Sequence, residues 1–378
     1  MIGTAYKFIK FDKTKSTGIL VGIIISIYLI GLELGMFFYL TGLIGGIVGN
    51  SRRDLSQVIV VNRMTVNANI LPPFDSRWVN QLRSVNGVSD THAMVMGNVS
   101  VRFDNGETSP AIIIGSDYPA MAAGPEKDKI MSGSLTDFAY DLTVSADFYD
   151  NRTFNYEVKV GSNFEISGKR VRVGAMTKNA KGFSSPLLYT TTESARRLSF
   201  LASDQVNAVL LTLKDGVSAD KVIEDISRLT PYLKAWKTED FRMSTIVYVM
   251  TANNMGMSFG TLVIFAIISG FFIIGLTMYS ATYDRIKDYG TLKAIGADSG
   301  YITRLVMAQS FLYAISGYII SLILLYVTKW GMAKAGLLIK LSPIFLLFLF
   351  AVTLMIAVGS SLFSVQKLKT VEPSSVFR

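Results

Sequence analysis

The sequence of 378 residues contains no cysteine and one histidine, His92. Without cysteine the chain can form no disulfide, thiol nucleophile, iron–sulfur cluster or zinc ribbon. One histidine excludes an H-E-x-x-H motif and any multi-histidine metal site, and its polar surroundings predict a surface position. A GxxxxGK[ST] loop is also lacking, because the nearest imitation, 167–170, has Asn163 in place of the first glycine. The chain therefore has no P-loop of its own with which to hydrolyse ATP.

Charged residues are scarce, at 17% of the sequence, whereas soluble domains have about a quarter. Half of the residues are hydrophobic, and the mean hydropathy is +0.39. The segment from Asn50 to Ser244 has 23 basic and 22 acidic residues, and the rest of the chain has 14 and 6. The basic excess therefore flanks the apolar segments, where it can set topology or meet anionic lipid. The middle segment has no basic patch interleaved with aromatic residues, which excludes nucleic-acid binding.

Four apolar stretches are long enough to span a bilayer, namely 18–49, 245–281, 305–328 and 341–363. The first is broken only by Glu33. At ~1.5 Å per residue it would form a helix ~48 Å long, which exceeds the ~30 Å hydrocarbon core. We therefore predict that it spans the membrane and continues outside as a stalk.

The positive charges give the predicted orientation, because cytoplasmic flanks are enriched in lysine and arginine. Eleven basic residues favour a cytoplasmic N-terminus, a cytoplasmic connection between spans two and three, and a cytoplasmic tail: Lys7, Lys10, Lys13, Lys15, Arg285, Lys287, Lys293, Arg304, Lys367, Lys369 and Arg378. Three lysines in the last outer loop oppose it: Lys329, Lys334 and Lys340. The balance predicts four spans with the large insert outside the cytoplasm.

The predicted fold class is an α-helical membrane protein with four transmembrane helices, the first with a long stalk, and a mixed α/β extracytoplasmic domain. Ala5, Phe8 and Ile9 share one helical face near the N-terminus, which favours an amphipathic helix over a plain basic flank. The predicted order is a cytoplasmic amphipathic segment (1–17), transmembrane helix 1 and stalk (18–49), α/β domain (50–244), stalk and helix 2 (245–283), cytoplasmic segment (284–302), helix 3 (303–328), outer loop (329–340), helix 4 (341–365) and cytoplasmic tail (366–378).

The insert alternates strand-like and helix-like segments. Val88 to Phe103 and Thr108 to Gly115 are predicted to pair around a turn at Asn105-Gly106. No paired acid and base, and no Ser-His-Asp set, stands out in the insert, so the sequence predicts no enzyme there.

The segment YDRIKDYGTLKAIGA, residues 283–297, resembles the cytoplasmic signature of FtsX/MacB-type (type VII) ABC transporter permeases. The sequence Tyr-Gly-Thr-Leu-Lys-Ala-Ile-Gly, which begins at Tyr289, is most similar to the sequences of the DevC branch of this family. The insert phrases DLTVSADFYDNRTF and LYTTTESARRL resemble the MacB periplasmic core domain, and the tail VEPSSVFR is similar to the family's closing sequence. The order of one span, an insert and three spans also agrees.

The resemblance implies a non-catalytic permease subunit of the cytoplasmic (inner) membrane. Such a subunit couples ATP hydrolysis on a separate ABC ATPase, which would hold the ATP and Mg, to export or extraction of lipid-like or hydrophobic envelope cargo by mechanotransmission. No cofactor is expected on this chain. The expected partners are that ATPase, a second permease copy or a paralogue, membrane lipid and, by the DevC likeness, a membrane-fusion adaptor with an outer-membrane channel. FtsX-like activation of a wall hydrolase and LolC-like lipoprotein release remain alternatives within the family.

The resemblance also assigns the contact with the ATPase to a short coupling helix. Apolar Leu292 and Ile295 among charged residues could dock in a groove with a polar rim, with Gly290 and Gly296 as helix breaks. The alternative is an ordinary basic loop. The expected coupling residues are Asp284, Arg285, Lys287, Asp288, Tyr289, Gly290, Leu292, Lys293, Ile295 and Gly296.

Small-xxx-small spacings in the first span predict close helix contact in a dimer or a bundle. They pair Gly18 with Gly22, Gly31 with Gly35, and Gly42 with Gly46. A carboxylate such as Glu33 is costly against lipid. Its alternatives are a polar group on a central cavity or helix contact, and a hydrogen-bonded or protonated side chain near the outer interface.

Two functions of other classes are less consistent with the sequence. A signalling receptor needs a cytoplasmic output domain, and all three predicted cytoplasmic pieces are short. A secondary transporter usually needs more spans and discontinuous helices around a midplane site.

The topology can be tested by single-cysteine labelling, because the sequence has no native thiol. In intact cells or spheroplasts an impermeant maleimide should label Ser162→Cys and leave Ser299→Cys unlabelled. Permeabilised cells are the control, since both variants should then react. The reverse pattern in intact cells would contradict the predicted orientation.

Overall fold

A computed structural model describes residues 2–11, 13–334 and 338–369. The chain divides into a helical unit, Met1–Tyr39 with Gly256–Arg378, and an α/β unit, Leu40–Met255. The helices are α1 (Ile2–Phe11), α2 (Lys13–Ile44), α3 (Gly46–Gly49), α4 (Arg77–Arg83), α5 (Asn151–Phe154), α6 (Thr192–Ser199), α7 (Ala219–Leu229), α8 (Thr238–Ala252), α9 (Met255–Asp284), α10 (Ile286–Ala294), α11 (Ser299–Lys334) and α12 (Pro343–Lys369).

Long apolar sequences form the four longest helices, and their hydrophobicity is spread around the helix rather than along one face, as expected for membrane spans. Within the described residues, three helices are long and apolar enough to cross a membrane: Ser16–Ile44, Met255–Asp284 and Ser299–Ala333. The apolar part of α12, Pro343–Gly359, is shorter. The predicted apolar helices are therefore confirmed, while the count of four spans stays a prediction.

Two predicted continuous helices are divided in the structure. The first apolar stretch continues past α2 as the separate short helix α3, after a turn at Gly45. The second comprises the end of α8 and most of α9, which are separated at Asn253 and Asn254, where Asn254 has a φ of 53°. Hydrophobicity alone does not reveal these breaks, because the residues on either side are apolar.

Helix α2 lies at the centre of the helical unit. Its residues Ile23, Ile27 and Ile30 are each 1% exposed. The Ser321 hydroxyl of α11 donates to the Ile24 carbonyl (3.0 Å), and Tyr28 shares a 2.9 Å hydrogen bond with Thr328. Such bonds supplement the van der Waals packing that holds membrane helices together.

The glycines of the first span have different surroundings. A Cβ at Gly31 would lie 2.6 Å from Leu325 Cδ1 of α11 and 3.1 Å from Leu349 of α12, and a Cβ at Gly35 would clash with Ile339. At Gly22 a Cβ would be 3.1 Å from Ile273 of α9, whereas no atom lies within 4 Å at Gly18 or Gly42. A Cβ at Gly46, in the α/β unit, would clash with the carbonyl oxygen of Lys181. Close approach at Gly31 and Gly35 is therefore made within one chain.

The strands of the α/β unit are β1 (Val58–Asn62), β2 (Phe74–Asp75), β3 (Val88–Arg102), β4 (Thr108–Ser116), β5 (Ile130–Gly133), β6 (Thr143–Asp147), β7 (Asn163–Ile166), β8 (Lys169–Thr177), β9 (Leu187–Thr191), β10 (Gln205–Val206), β11 (Ala208–Leu213) and β12 (Leu233–Lys237). The main sheet has the order β12-β1-β11-β3-β4-β9-β6-β8-β5, with β7 paired to β3 and β8. Its β4–β9 and β6–β8 pairs are parallel and the others antiparallel. The prediction of a mixed α/β domain is confirmed.

The β3–β4 hairpin forms as predicted, with Arg102 opposite Thr108 and Gly106 at a φ of 84° in the turn. The predicted surface position of His92 is wrong, because its side chain is buried in β3 and its Nε2 lies 3.3 Å from the Thr212 hydroxyl of β11. Both faces of the sheet are covered there, so residues 91–95 are all buried. Burial also lowers the pKa of His92.

A buried polar cluster surrounds Asn50, directly after α3. The Lys129 ammonium donates to Asn50 Oδ1 (2.6 Å), and Asn50 Nδ2 donates to the carbonyl of Lys181 (3.2 Å). The Lys181 ammonium lies 3.0 Å from Asp150 Oδ1, and that pair is almost fully buried. Asp147 accepts hydrogen bonds from Thr177 and from the backbone N–H groups of Tyr149 and Ala180. Asp150 Oδ2 is buried without a hydrogen-bond partner among the described residues, so this network is only partly satisfied.

Replacing Gly31 with leucine should destabilise the helical unit, because the side chain would enter space filled by Leu325 and Leu349. Overpacking of this kind costs about 1–3 kcal/mol. Gly18→Leu is the matched control on the same helix, where the added side chain meets open space. Thermal unfolding in detergent measures the difference, and equal midpoints for the two variants would contradict the packing described.

The stability of the α/β unit should depend on Asp150 in a pH-dependent way. Burial raises the pKa of Asp150 to about 6, against the opposing effect of Lys181. The folded state then binds the proton more tightly than the unfolded chain does, so the stabilisation present in acid is lost as the pH rises through about 6. Between pH 4 and 8, Asp150 should lower the free energy of unfolding of the wild type by roughly 1–3 kcal/mol. In Asp150→Asn this part of the decrease should be absent.

The control for this measurement is Asp104→Asn at an exposed position, which should leave the pH profile of the wild type unchanged. Thermal or denaturant unfolding of the full chain at a series of pH values provides the profile. If acid instead destabilised the wild type and not Asp150→Asn, the ion pair with Lys181 would outweigh the cost of burial.

Candidate functional site

Helix α10 and the turn after it are defined by local sequence. Gly296 has a φ of 101°, its N–H donates to the Lys293 carbonyl (3.0 Å), and the N–H of Ala297 donates to the Leu292 carbonyl (2.9 Å). These two bonds are the Schellman pattern that ends a helix at glycine. Asp298 then caps α11, since its Oδ1 accepts the N–H of Tyr301 (2.8 Å). The sequence therefore specifies a helix, a tight turn and a second helix.

One side of α10 packs against the helical unit. Tyr289 is 2% exposed and Gly290 is also buried. Ile286 and Leu292 are half-buried against the same core. The predicted helix break at Gly290 is wrong, because this buried residue lies inside α10. Leu292 packs partly against the protein's own core, and its docking role stays a prediction.

The other side of α10 is exposed. Lys287, Asp288 and Thr291 face outward, and Ile295 at the end of the helix is 77% exposed. Ile295 is therefore a highly exposed isoleucine beside charged side chains. This arrangement matches the apolar centre and polar rim of a protein–protein contact. We call Lys287, Asp288, Thr291 and Ile295 the α10 outer face.

The remaining predicted coupling residues lie at the edges of this face. Asp284 ends α9 and is exposed, and the half-buried Arg285 joins α9 to α10. Lys293 is half-buried, and Gly296 is exposed in the turn. All ten therefore belong to one continuous segment, but the structure separates them into an inner and an outer set.

Polar contacts connect α10 to the neighbouring helices. The Tyr289 hydroxyl donates to Gln309 Oε1 of α11 at 3.5 Å. One turn further along α11, the Tyr313 hydroxyl donates to Ser16 Oγ of α2 (2.8 Å), and Ser16 donates to the Ile9 carbonyl of α1 (2.8 Å). The anchoring role of Tyr289 was not evident in the sequence, because its partner is 20 residues away.

Helix α1 contacts α11, and Ala5 is fully buried while Ile9 packs against the helical core. Lys7 and Lys10 are exposed. In the described part of the chain, no group of three or more histidine, aspartate or glutamate residues could hold a metal ion.

Two family models match the chain. The FtsX-like permease C-terminal model matches residues 260–373, and the MacB-like periplasmic core domain model matches residues 16–229, more than half of the sequence. The chain belongs to the FtsX/MacB-type family of ABC transporter permeases. The segment with α10 lies inside the first match, and every strand of the mixed sheet except β12 lies inside the second.

The permease is similar to one from Methanocaldococcus jannaschii described as an uncharacterized ABC transporter permease, with 25% identity over 357 residues, 86% of this chain and 82% of the relative. Two solved structures also match. The extracellular domain of the noncanonic ABC-type transporter YknZ from Gram-positive bacteria has 14% identity and a TM-score of 0.37, covering 47% of this chain and 98% of that domain. The periplasmic region of MacB from Actinobacillus actinomycetemcomitans has 13% identity and a TM-score of 0.39, covering 53% and 94%.

Proposed function

We propose that this permease couples ATP hydrolysis on a separate ABC ATPase to the export or extraction of a lipid-like or hydrophobic envelope cargo, by transmitting movement through its helices. The observation that carries the proposal is the two-sided structure of α10. Its inner side is fixed to the helical unit by Tyr289, while its outer face presents Ile295 to a partner.

A coupling element must satisfy two physical conditions. It needs an accessible contact surface, and it needs a stiff connection to the elements that move. Burial of Tyr289 and the hydrogen bond to Gln309 attach α10 to α11, and α11 is in turn bonded to α2 through Ser321 and Thr328. A displacement of α10 would therefore act on packed helices rather than on a loose loop.

The finer parts of the proposal come from the family likeness. The amino-acid sequence around Tyr289 supports membership of the DevC branch. That membership would imply lipid export together with an adaptor and an outer-membrane channel. Association with a second copy or a paralogue is also part of the proposal. The topology would be N-inside with four spans, and the α/β unit would lie outside the cytoplasm of an inner-membrane protein. FtsX-like and LolC-like functions use the same coupling surface.

The test is the variant Ile295→Asp in the permease co-expressed with its ABC ATPase. A charge placed in an apolar contact should weaken the complex roughly a hundredfold, with loss of ATPase co-purification and of cargo-stimulated turnover in nanodiscs. Ile295→Leu is the matched control and should retain both. Normal assembly and turnover of Ile295→Asp would show that the α10 outer face is not the coupling surface.

A second control separates the two sides of α10. Leu292→Ala should lower the thermal stability of the permease alone, because that side chain packs against its own core. Ile295→Asp should leave that stability unchanged, since Ile295 is exposed.

A further inference from the structure

Glu33 is the only acidic or basic residue in the four apolar stretches of the sequence. Its Oε2 atom is buried and has no hydrogen-bond partner among the residues that the structure describes. An ionised carboxylate in an apolar environment is costly without a partner, and ionisable residues inside membranes generally mark functional sites.

Helical geometry places Glu33 on the side of α2 that faces α9. With 3.6 residues per turn, Gly22, Ser26, Glu33 and Phe37 lie within about 60° of one another around the helix axis. The other three contact α9: a Cβ at Gly22 would lie 3.1 Å from Ile273, Ser26 is next to Gly270, and the rings of Phe37 and Phe259 are 5.7 Å apart.

The same contacts give the antiparallel register of α2 and α9, which places Glu33 beside Val263. Val263 and the neighbouring Ala266 are half-buried. Gly260, one turn from Val263, is exposed, and no atom lies within 4 Å of a Cβ added there. The carboxylate therefore has apolar walls and an open space at one side.

The lysines near the outer end of the helical unit approach other faces of α2. The backbone N–H of Lys340 donates to the Gly35 carbonyl (3.2 Å), and Gly35 is about 200° from Glu33 around the helix. Lys329 follows Thr328, which bonds to Tyr28 on the α11 side. Among the described residues none donates a hydrogen bond to Glu33 Oε2, which leaves a bound molecule as a source of counter-charge on the α9 side.

We infer that Glu33 and the adjoining face of α9 bind the protonated amine of an amphiphile whose hydrocarbon chain lies along the α2–α9 groove. A primary ammonium group can donate up to three hydrogen bonds and supply the missing charge. The apolar walls at Val263 and the open space at Gly260 suit the chain. In the N-inside orientation Glu33 lies about 26 Å along α2 from Ser16, in the outer half of a ~30 Å core, where amphiphile headgroups are near.

This inference rests on the proposed function in treating the amphiphile as cargo, but its test needs neither ATPase nor transport. Failure of binding and failure of coupling are therefore distinguishable. The full-length permease is placed in phosphatidylcholine nanodiscs at pH 7, and electron paramagnetic resonance measures the motionally restricted fraction of spin-labelled stearylamine. Spin-labelled stearyl alcohol is the uncharged probe of equal chain length.

The wild type should bind the amine about tenfold more tightly than the alcohol, as expected for one charge-assisted hydrogen bond. Glu33→Gln should abolish that preference, and Glu33→Asp should retain part of it. Gly260→Leu should weaken binding of both probes, because it fills the space for the chain. Equal affinity for the two probes in the wild type, or a preference that persists in Glu33→Gln, would overturn the proposal.

The source of the amine is determined by a further pair of probes. Preference for spin-labelled phosphatidylethanolamine over phosphatidylcholine supports a bilayer lipid as the ligand. Preference for stearylamine without preference for phosphatidylethanolamine supports a free amphiphilic amine. Both results support the amine site at Glu33.

Discussion

The close approach of α2 to three other helices is the constraint on which the helical unit depends. Side chains of Leu325 and Leu349 fill the space beside Gly31, so any larger residue there would separate the helices. In a lipid environment helices gain little from hydrophobic burial against one another, and packing at small residues supplies much of the association energy. The positions of α11, and of α10 through Tyr289 and Gln309, therefore follow from contacts made at glycines on a neighbouring helix.

Some of this structure could be predicted from the sequence because the determining interactions are local. Hydrophobic length identified the long helices, and Asn105-Gly106 identified the β3–β4 turn, where Gly106 has a positive φ. The helix break predicted at Gly296 is confirmed, since α10 ends there, and the following Asp298 is a helix start signal. The breaks between α2 and α3 and between α8 and α9 lie within long apolar stretches, where Gly45-Gly46 and Asn253-Asn254 are the local turn residues.

The parts that were missed depend on neighbours distant in sequence. Leu292 and Ile295 are both apolar and three residues apart, but α11 covers one side of α10 and leaves Ile295 outside. His92 follows the polar residues 89–91 and is nevertheless buried, because β11 and the elements over the sheet cover it. In the same way, Lys129, Lys181 and Asp150 read as ordinary surface charges until the fold brings them around Asn50. Composition and periodicity cannot assign such residues to a face when their partners come from another element.

The polar residues Gln309 and Tyr313 of α11 and the acidic residue Glu33 of α2 differ in the hydrogen-bonding groups that surround them. Tyr313 donates to Ser16 of α2, and Gln309 Oε1 accepts from Tyr289 of α10, although Gln309 Nε2 is buried without a partner among the described residues. Glu33 faces α9, whose nearby residues are apolar, and the fold supplies no partner for its Oε2 in the described part of the chain. A stabilising role would predict a donor opposite the carboxylate, as Lys181 is opposite Asp150. An apolar residue at position 33 would pack against Val263 at lower cost. The amine ligand that we propose would supply the partner that the described residues do not provide.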